Sequence, residues 1–573
     1  MASDEEISEE IVKAAVKNAL NYGKARESTV LNGVLSKFPE MRSEIKELSK
    51  KISVEVARIN RLNPEEINSE ALKYNEEFAS ERKEKIEKTA KPKMVLEGAE
   101  NGAFVTRFPP APNGYMHIGH AKAVFMEKEF SRIYNGHINL YFDDTNPETD
   151  SQEYVESFKK DLEWLNIGFD TEYYASDNIE KMYSFASALI KKGKAYVCDC
   201  PPEEISEKRT NGIDCTHKEK PPEENLSEWE KMLSDKNSHS ILRYKGNIKD
   251  QNTALRDPTL FRVKQNVHYR QGSKYWLWPT YDFNTPIMDS IMGVTDVLRS
   301  KEYELRDRLY YEILIGLELR LPRLHSFARL EINNNITSKR KLKELIKKNL
   351  LWGFDDPRLV TIAGLRRRGI QPSAIMEFVL RFGMSKTDSK VGIEMLLAEN
   401  RKIIDNKSPR LFFIKDPIKI TVTEIPDSKR KIEMKAHPSE SLKHRRYNLS
   451  DIFFINSYDA LNLRNGDTIK LKDAFGIKIH SIEKDNIEAS YLSETADSAA
   501  RIPWVNKDNY LEANLLEIGD LLENEIFNEK SMLSTKGFIE SYVSGIEEGG
   551  TVQLERTGFF KLDNKEKMAF VGI

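Results

Sequence analysis

The sequence predicts a multidomain chain, part α/β and part all-β, built around a doubly wound parallel sheet. Three observations predict this fold class. Residues 103–142 follow a strand, glycine-containing loop, helix, strand pattern. A polar, proline-rich stretch interrupts this pattern over 196–275. Short runs of alternating apolar and polar residues, separated by turns, begin near 409. The 573 residues fit several domains of about 150 residues each.

The composition is that of a folded, soluble chain. Apolar residues make up 39% and aromatic residues 9%, which is too apolar for a chain held open by like charges. No run of about 18 apolar residues occurs, and the acidic first residues lack an apolar secretory core, so we expect a cytoplasmic protein without a membrane span. The net charge of −3 by itself argues against a nucleic-acid partner, yet residues 331–370 carry ten Lys or Arg against four Asp or Glu.

Changes in the sequence pattern along the chain predict its domains. Helical periodicity marks the first part, where the charge-dense stretch 78–93 is predicted as a solvated linker helix. Alternating runs such as IKITVTEI, DTIKLKD and IKIHSIE predict antiparallel barrels in the last part. The predicted domains are 1–97 (helical), 98–195 and 276–330 (the two halves of the α/β region), 196–275 (the insertion), 331–407 (basic and helical) and 408–573 (barrels).

The segment RFPPAPNGYMHIGH, from Arg107 to His120, joins a predicted strand to a helix. Unpaired backbone N–H groups and the positive end of the dipole make a helix N-terminus suitable for phosphate. His117 and His120 can donate hydrogen bonds to phosphate oxygens, Gly119 leaves room for a base or ribose, and Gly114 permits a tight turn. The segment predicts a nucleotide site. The alternative is a loop–helix junction whose histidines are merely capped or buried.

A second basic motif, Thr337-Ser338-Lys339-Arg340, precedes a basic helix. The ammonium of Lys339 could neutralise charge that develops at the α-phosphate of a triphosphate. Such a motif alone is more often a solvated basic cluster. Together with the histidine motif, it predicts the second part of one triphosphate site.

All three cysteines lie within 18 residues, as Cys198, Cys200 and Cys215, and His217 follows. Three thiolates and one imidazole complete a tetrahedral structural zinc site without an open position for substrate. The insertion around them is short of apolar residues, so a metal could supply its folding energy. Against zinc, the Cys-x-Cys spacing is tight, and buried free cysteines in a reducing compartment are the alternative.

The motifs PPAPNGYMHIGH, YFDDTNP, WPTYDF, GVTDVLRS, SKRK and WGFDDPRLVTIAGLRRRG occur in this order. They resemble those of the class I glutamyl- and glutaminyl-tRNA synthetases, above all the archaeal glutamyl branch, from about Phe104 to the C-terminus. The resemblance implies a Rossmann-type catalytic domain, ATP with Mg²⁺ on its phosphates, and a two-step reaction through an acyl-adenylate to the terminal ribose of tRNA. The residues it implies for ATP are Pro110, Gly114, His117, Gly119, His120, Ser338 and Lys339.

The resemblance also implies an amino-acid site. By position in the motifs, Asp143 holds the α-amine of the substrate and Tyr281 lies beside it. Arg107 matches an arginine that both branches of the family carry. One residue departs from the family, because Tyr141 stands where an arginine is usual, two positions before Asp143.

Arg299 is the position that separates glutamate from glutamine. Glutamyl enzymes carry arginine there, and a guanidinium offers a bidentate fork to a carboxylate. Glutamine would leave the desolvated cation poorly paired. The alternative is that Arg299 pairs with Asp296 or Glu302 on one surface.

The resemblance leaves three functions in play. Glutamate–tRNA ligase leads, Arg299 disfavours glutamine–tRNA ligase, and the retained ATP motifs disfavour a non-catalytic tRNA-binding relative. Charging of tRNA(Gln) besides tRNA(Glu) stays open, and a monomer is expected. By analogy the insertion approaches the acceptor end of tRNA, residues 331–407 contact its stem, and the barrels bind its anticodon. The basic clusters that are candidates for RNA contact are 339–348, 366–369, 429–431 and 443–447.

Overall fold

The computed structural model describes residues 4–22, 25–38, 41, 44–62, 66–67, 70–71, 73–74, 94–439, 442–483, 486–493 and 500–573. The predicted linker helix at 78–93 lies outside these residues. The chain divides into two compact units, Met1–Lys91 and Pro92–Ile573. Among the helices of the described ranges, none combines the length and the apolar composition of a membrane span.

The first unit is helical, as the periodicity predicts. Its helices are α1 (Asp4–Tyr22), α2 (Glu27–Lys37) and α3 (Ile45–Ile59). Helix α3 buries Leu48, Ile52, Val56 and Ile59, which recur at three- and four-residue intervals and so form one apolar stripe. This stripe packs into a core shared with apolar residues of α1 and α2.

The second unit begins with a parallel sheet. Its first elements are β1 (Val105–Phe108), α4 (Ile118–Ile133), β2 (His137–Phe142), α5 (Gln152–Trp164), β3 (Thr171–Tyr174) and α6 (Ile179–Lys191). The strands pair in the order β1-β2-β3, all parallel, so each connection crosses over through a helix. Strand β2 is buried along all but its first residue, as expected of a strand covered on both faces.

The chain then leaves this sheet for a four-stranded antiparallel one, β4-β5-β6-β7. Trp229, Phe261 and Trp278 of this region share a core with residues of α6 and of the helix that follows. The insertion therefore packs against the α/β region instead of depending on a small core of its own. Its elements are β4 (Ala195–Cys198), α7 (Pro202–Asn211), α8 (Pro222–Ser234), β5 (Ile241–Tyr244), β6 (Thr259–Val263) and β7 (Leu277–Pro279).

The parallel sheet resumes after the insertion. The elements are α9 (Tyr281–Ile291), β8 (Asp296–Ser300), α10 (Asp307–Gly316) and β9 (Arg323–Phe327). Strands β8 and β9 are parallel, and the Thr295 N–H donates to the Val105 carbonyl at 2.9 Å, which sets β8 beside β1. The spatial order β3-β2-β1-β8-β9 confirms the predicted doubly wound sheet. Its direction of winding reverses between β1 and β8, where ligands bind in such sheets.

A mostly helical segment follows and touches the start of α4. The Ile118 N–H donates to the Val360 carbonyl at 3.0 Å, and the Ile362 N–H donates to the Met116 carbonyl at 2.9 Å. This pairing ties the histidine motif to a segment more than 200 residues away. The elements are β10 (Leu330–Ile332), α11 (Lys339–Lys347), α12 (Ile362–Arg368), α13 (Pro372–Leu380), β11 (Ser389–Val391) and α14 (Glu394–Ile404).

Two seven-stranded sheets complete the chain. The elements are β12 (Arg410–Leu411), β13 (Phe413–Lys415), β14 (Pro417–Thr423), β15 (Lys431–Met434), β16 (Arg445–Asn448), β17 (Ile452–Asn456), α15 (Ser457–Ala460), β18 (Thr468–Leu471), β19 (Gly476–Ile482), β20 (Asn486–Ser493), β21 (Ala500–Ile502), β22 (Val505–Asn506), β23 (Tyr510–Ile518), β24 (Leu522–Glu523), β25 (Ile526–Phe527), β26 (Met532–Glu540), β27 (Thr551–Leu554), β28 (Gly558–Asn564) and β29 (Ala569–Gly572).

Both sheets are curled and barrel-like, as predicted, but their pairing is not purely antiparallel, which corrects the prediction of antiparallel barrels. The orders are β21-β18-β19-β20-β14-β17-β22 and β12-β27-β28-β29-β23-β26-β13. In each sheet the two terminal strands of the order are neighbours in the chain, so one continuous segment bridges the open edges. The pairing is mixed, because β14–β20, β18–β21, β23–β29 and β12–β27 are parallel.

Candidate nucleotide and amino-acid site

The loop after β1 ends in a helix cap made by two histidines. His117 is the N-cap of α4, and its Nδ1 accepts from the Gly119 N–H at 3.1 Å. In return, the His117 backbone N–H donates to Nδ1 of His120 at 3.3 Å. Because Nδ1 of each ring accepts, each neutral ring carries its proton on Nε2. Both imidazoles are therefore left with an Nε2–H donor.

These two histidines are neutral near pH 7. Burial lowers the pKa of His117 to about 4, and the charge of Arg329 contributes. Burial also lowers the pKa of His120 well below its ordinary value, and His117 contributes. Both rings can thus donate hydrogen bonds to an anion, but neither carries a fixed positive charge.

The structure shows what surrounds the two glycines of the motif, whose roles toward a nucleotide stay predictions. A Cβ at Gly119 would lie 3.0 Å from Cε1 of His117, so this glycine leaves room for the cap itself. Gly114 does not adopt a left-handed φ. A Cβ there would lie 3.7 Å from Cδ of Lys339, an ordinary contact. Gly114 therefore lies where the histidine motif and the Ser338-Lys339 motif meet.

The structure brings the second basic motif onto this loop. Ser338 is the N-cap of α11, and Lys339 is its first residue. The Lys339 ammonium donates to the Asn113 carbonyl and lies 4.5 Å from the centre of the Tyr154 ring. The residues predicted for a triphosphate thus converge from two distant parts of the chain.

Asp143 lies where β2 ends, next to the same loop. Its backbone N–H donates to the Pro110 carbonyl at 3.1 Å. Its Oδ1 accepts from the Thr145 hydroxyl at 3.0 Å and from Nδ2 of Asn284 at 2.7 Å. Burial raises the pKa of Asp143 to about 6, although the Thr145 hydrogen bond and the charge of Arg262 act to lower it. The group is a partly buried carboxylate that is mostly ionised at pH 7.

Arg107 is fully engaged by the protein. Its Nε donates to Oδ1 of Asp289 at 2.6 Å, its Nη1 donates to the Leu298 carbonyl at 3.3 Å, and the residue is 1% exposed. The Tyr310 hydroxyl donates to the other oxygen of Asp289 at 3.0 Å. Burial acts to lower the pKa of Arg107, but Asp289 raises it above its ordinary value. The Arg107 guanidinium thus connects β1 with α9 and β8.

Arg299 is only partly engaged. Its Nη2 donates to Asp307, and its guanidinium carbon lies 5.2 Å from the centre of the Tyr310 ring. The residue is 5% exposed, and its Nε and Nη1 have no hydrogen-bond partner among the residues that the structure describes. The ion pair goes to Asp307 and not to Asp296 or Glu302, the two alternatives taken from the sequence.

Tyr281 is the first residue of α9 and a neighbour of Arg299. Its ring stacks on Tyr303 with the centroids 4.6 Å apart. Burial raises the pKa of Tyr281 to about 12. Burial acts to lower the pKa of Arg299, but Tyr281 and Asp307 raise it. A buried guanidinium with unmet N–H groups is costly, and an anionic ligand would satisfy it.

The cysteine cluster lies at the end of β4 and is compact. The Cys215 Sγ lies 3.6 Å from that of Cys198 and 3.4 Å from that of Cys200. Nδ1 of His217 lies 3.2 Å from the Cys215 Sγ and 3.6 Å from the Cys200 Sγ. A tetrahedral ion with metal–sulfur bonds of about 2.3 Å holds its sulfurs about 3.8 Å apart. The four side chains therefore fit a metal ion.

Two arginines of the predicted RNA clusters are unavailable. Arg368 is 5% exposed and Arg445 is 3% exposed. Arg445 forms a buried ion pair with Glu540 at 2.7 Å. A side chain that is enclosed in the fold cannot reach a phosphate backbone. Their part in RNA contact, expected from local charge, is therefore corrected to a structural one.

Sequence reasoning missed several residues that support the site. Asn284 and Asp289 contact Asp143 and Arg107. Both follow Tyr281 on α9, and their helical spacing from it could have placed all three near one face. The Asn113 carbonyl and Asp307 carry no such signal, because only the tertiary fold brings them to Lys339 and Arg299.

Comparison with known proteins identifies the class. The model of the catalytic domain of the class I (E and Q) tRNA synthetases matches residues 103–406, and two models of their anticodon-binding domain match 408–495 and 501–563. The chain belongs to this family of class I aminoacyl-tRNA synthetases, as the motifs predict.

Its relatives narrow the likeness to one branch. The chain is 38% identical over 571 residues to a Glutamate–tRNA ligase of Nitrosopumilus maritimus (strain SCM1), with 99% of each chain covered. It is 35% identical to proteins of the same name from Cenarchaeum symbiosum (strain A), over 568 residues, and from Pyrococcus furiosus, over 580 residues, again with 99% of each covered. The predicted similarity to archaeal glutamyl enzymes is confirmed.

Proposed function

We propose that this chain is a glutamate–tRNA ligase, which activates L-glutamate with ATP and transfers it to the 3′ end of tRNA(Glu). The observation that carries the choice of amino acid is Arg299. Its unmet Nε–H and Nη1–H groups are buried beside Tyr281 and match the side-chain carboxylate of glutamate. Glutamine would bring no counter-charge, which disfavours glutamine–tRNA ligase.

The other end of the substrate goes to Asp143, whose carboxylate pairs with the α-ammonium. Asn284, which contacts Asp143, is three residues after Tyr281, which neighbours Arg299. One helix therefore supports both ends of the amino acid. Arg107 acts indirectly in this proposal, because its guanidinium is held by Asp289.

The first step needs charge stabilisation and no protein nucleophile. An α-carboxylate oxygen of glutamate forms a bond to the α-phosphorus of ATP, and the bond to the α,β-bridging oxygen breaks as pyrophosphate leaves. The Nε2–H groups of His117 and His120 donate to phosphate oxygens, and the Lys339 ammonium neutralises charge that develops in the transition state. Ser338, Pro110, Gly114 and Gly119 shape this loop. Mg²⁺ supplies further neutralisation when it is bound to the phosphates.

In the second step a hydroxyl oxygen of the terminal tRNA ribose attacks the acyl carbon. The bond to the phosphate oxygen breaks, AMP leaves, and the hydroxyl proton passes to the AMP phosphate. A cavity of 740 Å³ in the insertion suits the acceptor end. Arg209, Arg256 and Arg262 line it, and Thr280, directly before Tyr281, connects it to the amino-acid site.

The remaining parts of the chain follow the family. We assign 98–195 and 276–330 to catalysis, 196–275 to the acceptor end, 331–407 to the tRNA stem and 408–573 to the anticodon, with 1–97 as an added helical domain. We further assign a structural Zn²⁺ to Cys198, Cys200, Cys215 and His217, whose donor set leaves no position for substrate. A cytoplasmic monomer completes the proposal.

ATP–pyrophosphate exchange tests the function. The assay compares L-glutamate with L-glutamine, with and without tRNA, and we expect exchange with glutamate only. Exchange with glutamine would establish the glutamine enzyme, and no exchange under any condition would establish a non-catalytic relative. Aminoacylation of purified tRNA(Glu) and tRNA(Gln) then shows whether one acceptor or both are charged.

A further inference from the structure

Tyr141 stands two residues before Asp143, at a position where the family resemblance implies an arginine. It lies on β2 and is fully buried. A neutral phenol cannot form an ion pair with Asp143, so the orientation of the carboxylate depends on hydrogen-bond donors. The contacts around it show which groups do so.

Asn284 bridges the two residues. Its Nδ2 donates to Oδ1 of Asp143 at 2.7 Å and also donates to the Tyr141 hydroxyl. A carboxylate can only accept, so the nitrogen of the amide and not its oxygen faces Asp143. The amide has two N–H groups, and each has one of these partners. Tyr141 therefore fixes the rotation of the amide that orients Asp143.

No other group holds the far side of this amide. Asn284 is fully buried, and its Oδ1 has no hydrogen-bond partner within the described part of the chain. The orientation of the amide thus depends on its two N–H contacts. The Thr145 hydroxyl donates to the same Oδ1 of Asp143 at 3.0 Å, so the donors to that oxygen are neutral.

We propose that Tyr141 and Asn284 form a positioning pair for the α-ammonium of the substrate. The pair fixes Asp143 through neutral donors, so the negative charge of Asp143 remains available to the ligand. Asn284 acts through Asp143, and Tyr141 acts through Asn284. This inference rests on the proposed function, in which Asp143 binds the ammonium of glutamate.

A double-mutant cycle on the full chain tests the order of action. Steady-state exchange is measured for Tyr141→Phe, Asn284→Ala and the double variant, with glutamate and ATP varied separately. We expect Asn284→Ala to raise the KM for glutamate about tenfold, as for the loss of one hydrogen bond to a charged group, with the KM for ATP within about twofold. We expect Tyr141→Phe to raise the KM for glutamate about threefold. The KM for glutamate of the double variant should be no higher than that of Asn284→Ala.

Inhibition by glutarate, the dicarboxylate that lacks the α-amine, separates positioning from general damage. Its inhibition constant should stay the same in all variants, because the pair acts only on the ammonium. Tyr134→Phe is the matched control. Its hydroxyl accepts from the Leu96 N–H at 2.9 Å at the opposite end of α4.

Three results would overturn the pair: an unchanged KM for glutamate, multiplicative effects in the double variant, or an equal loss of glutarate affinity. If Asn284→Ala does not fold, the comparison of glutamate with glutarate in Tyr141→Phe decides alone. Absence of glutamate-dependent exchange in the wild type would instead remove the proposed function, so the two failures are distinct.

Discussion

The Lys339 ammonium donates to the backbone carbonyl of Asn113, a residue 226 positions earlier in the chain. The contact joins Lys339, the first residue of α11, to the loop that precedes His117 and His120. A side chain held in this way would have less conformational freedom to lose on binding the triphosphate that we propose for this site. Preorganised charge of this kind is the main means by which such sites stabilise a transition state.

We expect Lys339→Ala to lower the kcat of ATP–pyrophosphate exchange about 100- to 1,000-fold, because loss of one preorganised donor costs that much. The KM for glutamate should hardly change. Steady-state kinetics measure both. Lys128→Ala is the control, since Lys128 also donates to a backbone carbonyl, that of Gly168 at 3.3 Å, from an exposed position. A Lys339→Ala rate within threefold of wild type would contradict the assignment.

Arg299→Cys should abolish glutamate activation while ATP binding is retained. The reason is that the unmet guanidinium N–H groups are the proposed partners of the side-chain carboxylate. Exchange assays measure activation, and equilibrium binding measures ATP. Arg308→Cys, an exposed arginine that pairs with Asp250 and Glu312, serves as control. Near-normal glutamate charging by Arg299→Cys would refute the assignment.

Glutamate binding should weaken as the pH falls through 6. The pKa of Asp143, raised by burial to about 6, means that its carboxylate is charged above this pH and neutral below it. The charges of Arg262 and Arg107 act to lower this pKa, but they do not restore the ordinary value. The KM for glutamate should be about tenfold higher at pH 5 than at pH 8. A KM that is flat over this range would exclude Asp143 as the ammonium partner.

Purified protein should carry one zinc ion per chain. Cys200→Ser and Cys215→Ser should lose it, because tetrahedral coordination needs both thiolates. Chelation should lower the unfolding temperature, since metal binding contributes folding energy. Elemental analysis and calorimetry provide the measurements, with Ser206→Ala as control. Sub-stoichiometric zinc after mild purification would refute the site.

Arg445→Ala should lower the stability of the barrels and not act through RNA. Removal of Arg445 leaves the buried Glu540 carboxylate unpaired, which costs about 3–5 kcal/mol. The adjacent Arg446 pairs with Glu433 at the surface, and Arg446→Ala should cost less than about 1 kcal/mol. Thermal unfolding compares the two variants. Equal effects would mean that burial does not separate these neighbouring arginines.

Local periodicity predicts the local elements of this chain. Strands β1 and β2 and helix α4 appear where the alternation and the loop signals place them, because those patterns report which face each segment buries. The convergence of the histidine and lysine motifs is predictable only from the family resemblance. It depends on the pairing of residues 116–118 with 360–362, for which the sequence contains no local signal.

The partner of Arg299 shows why proximity in the chain misleads. Asp296 is three residues away on the same strand, and side chains at odd separations on a strand point to opposite faces. Asp307 is farther along the chain, but it begins α10, which returns over the face that Arg299 occupies. Strand geometry excludes the nearer carboxylate, and the connection between β8 and α10 supplies the farther one.

The reciprocal cap of His117 and His120 also bears on turnover. If His117 and His120 carried fixed charges, they would hold pyrophosphate as firmly after the bond has broken as before, and uniform affinity of that kind adds nothing to the rate, unlike the Lys339 ammonium, which acts on charge that develops in the transition state. Uncharged imidazoles bind an anion through directed N–H hydrogen bonds and not through net charge. We therefore expect pyrophosphate to depart readily once the adenylate has formed, and the enzyme to be free to receive the incoming RNA with its activated amino acid still in place.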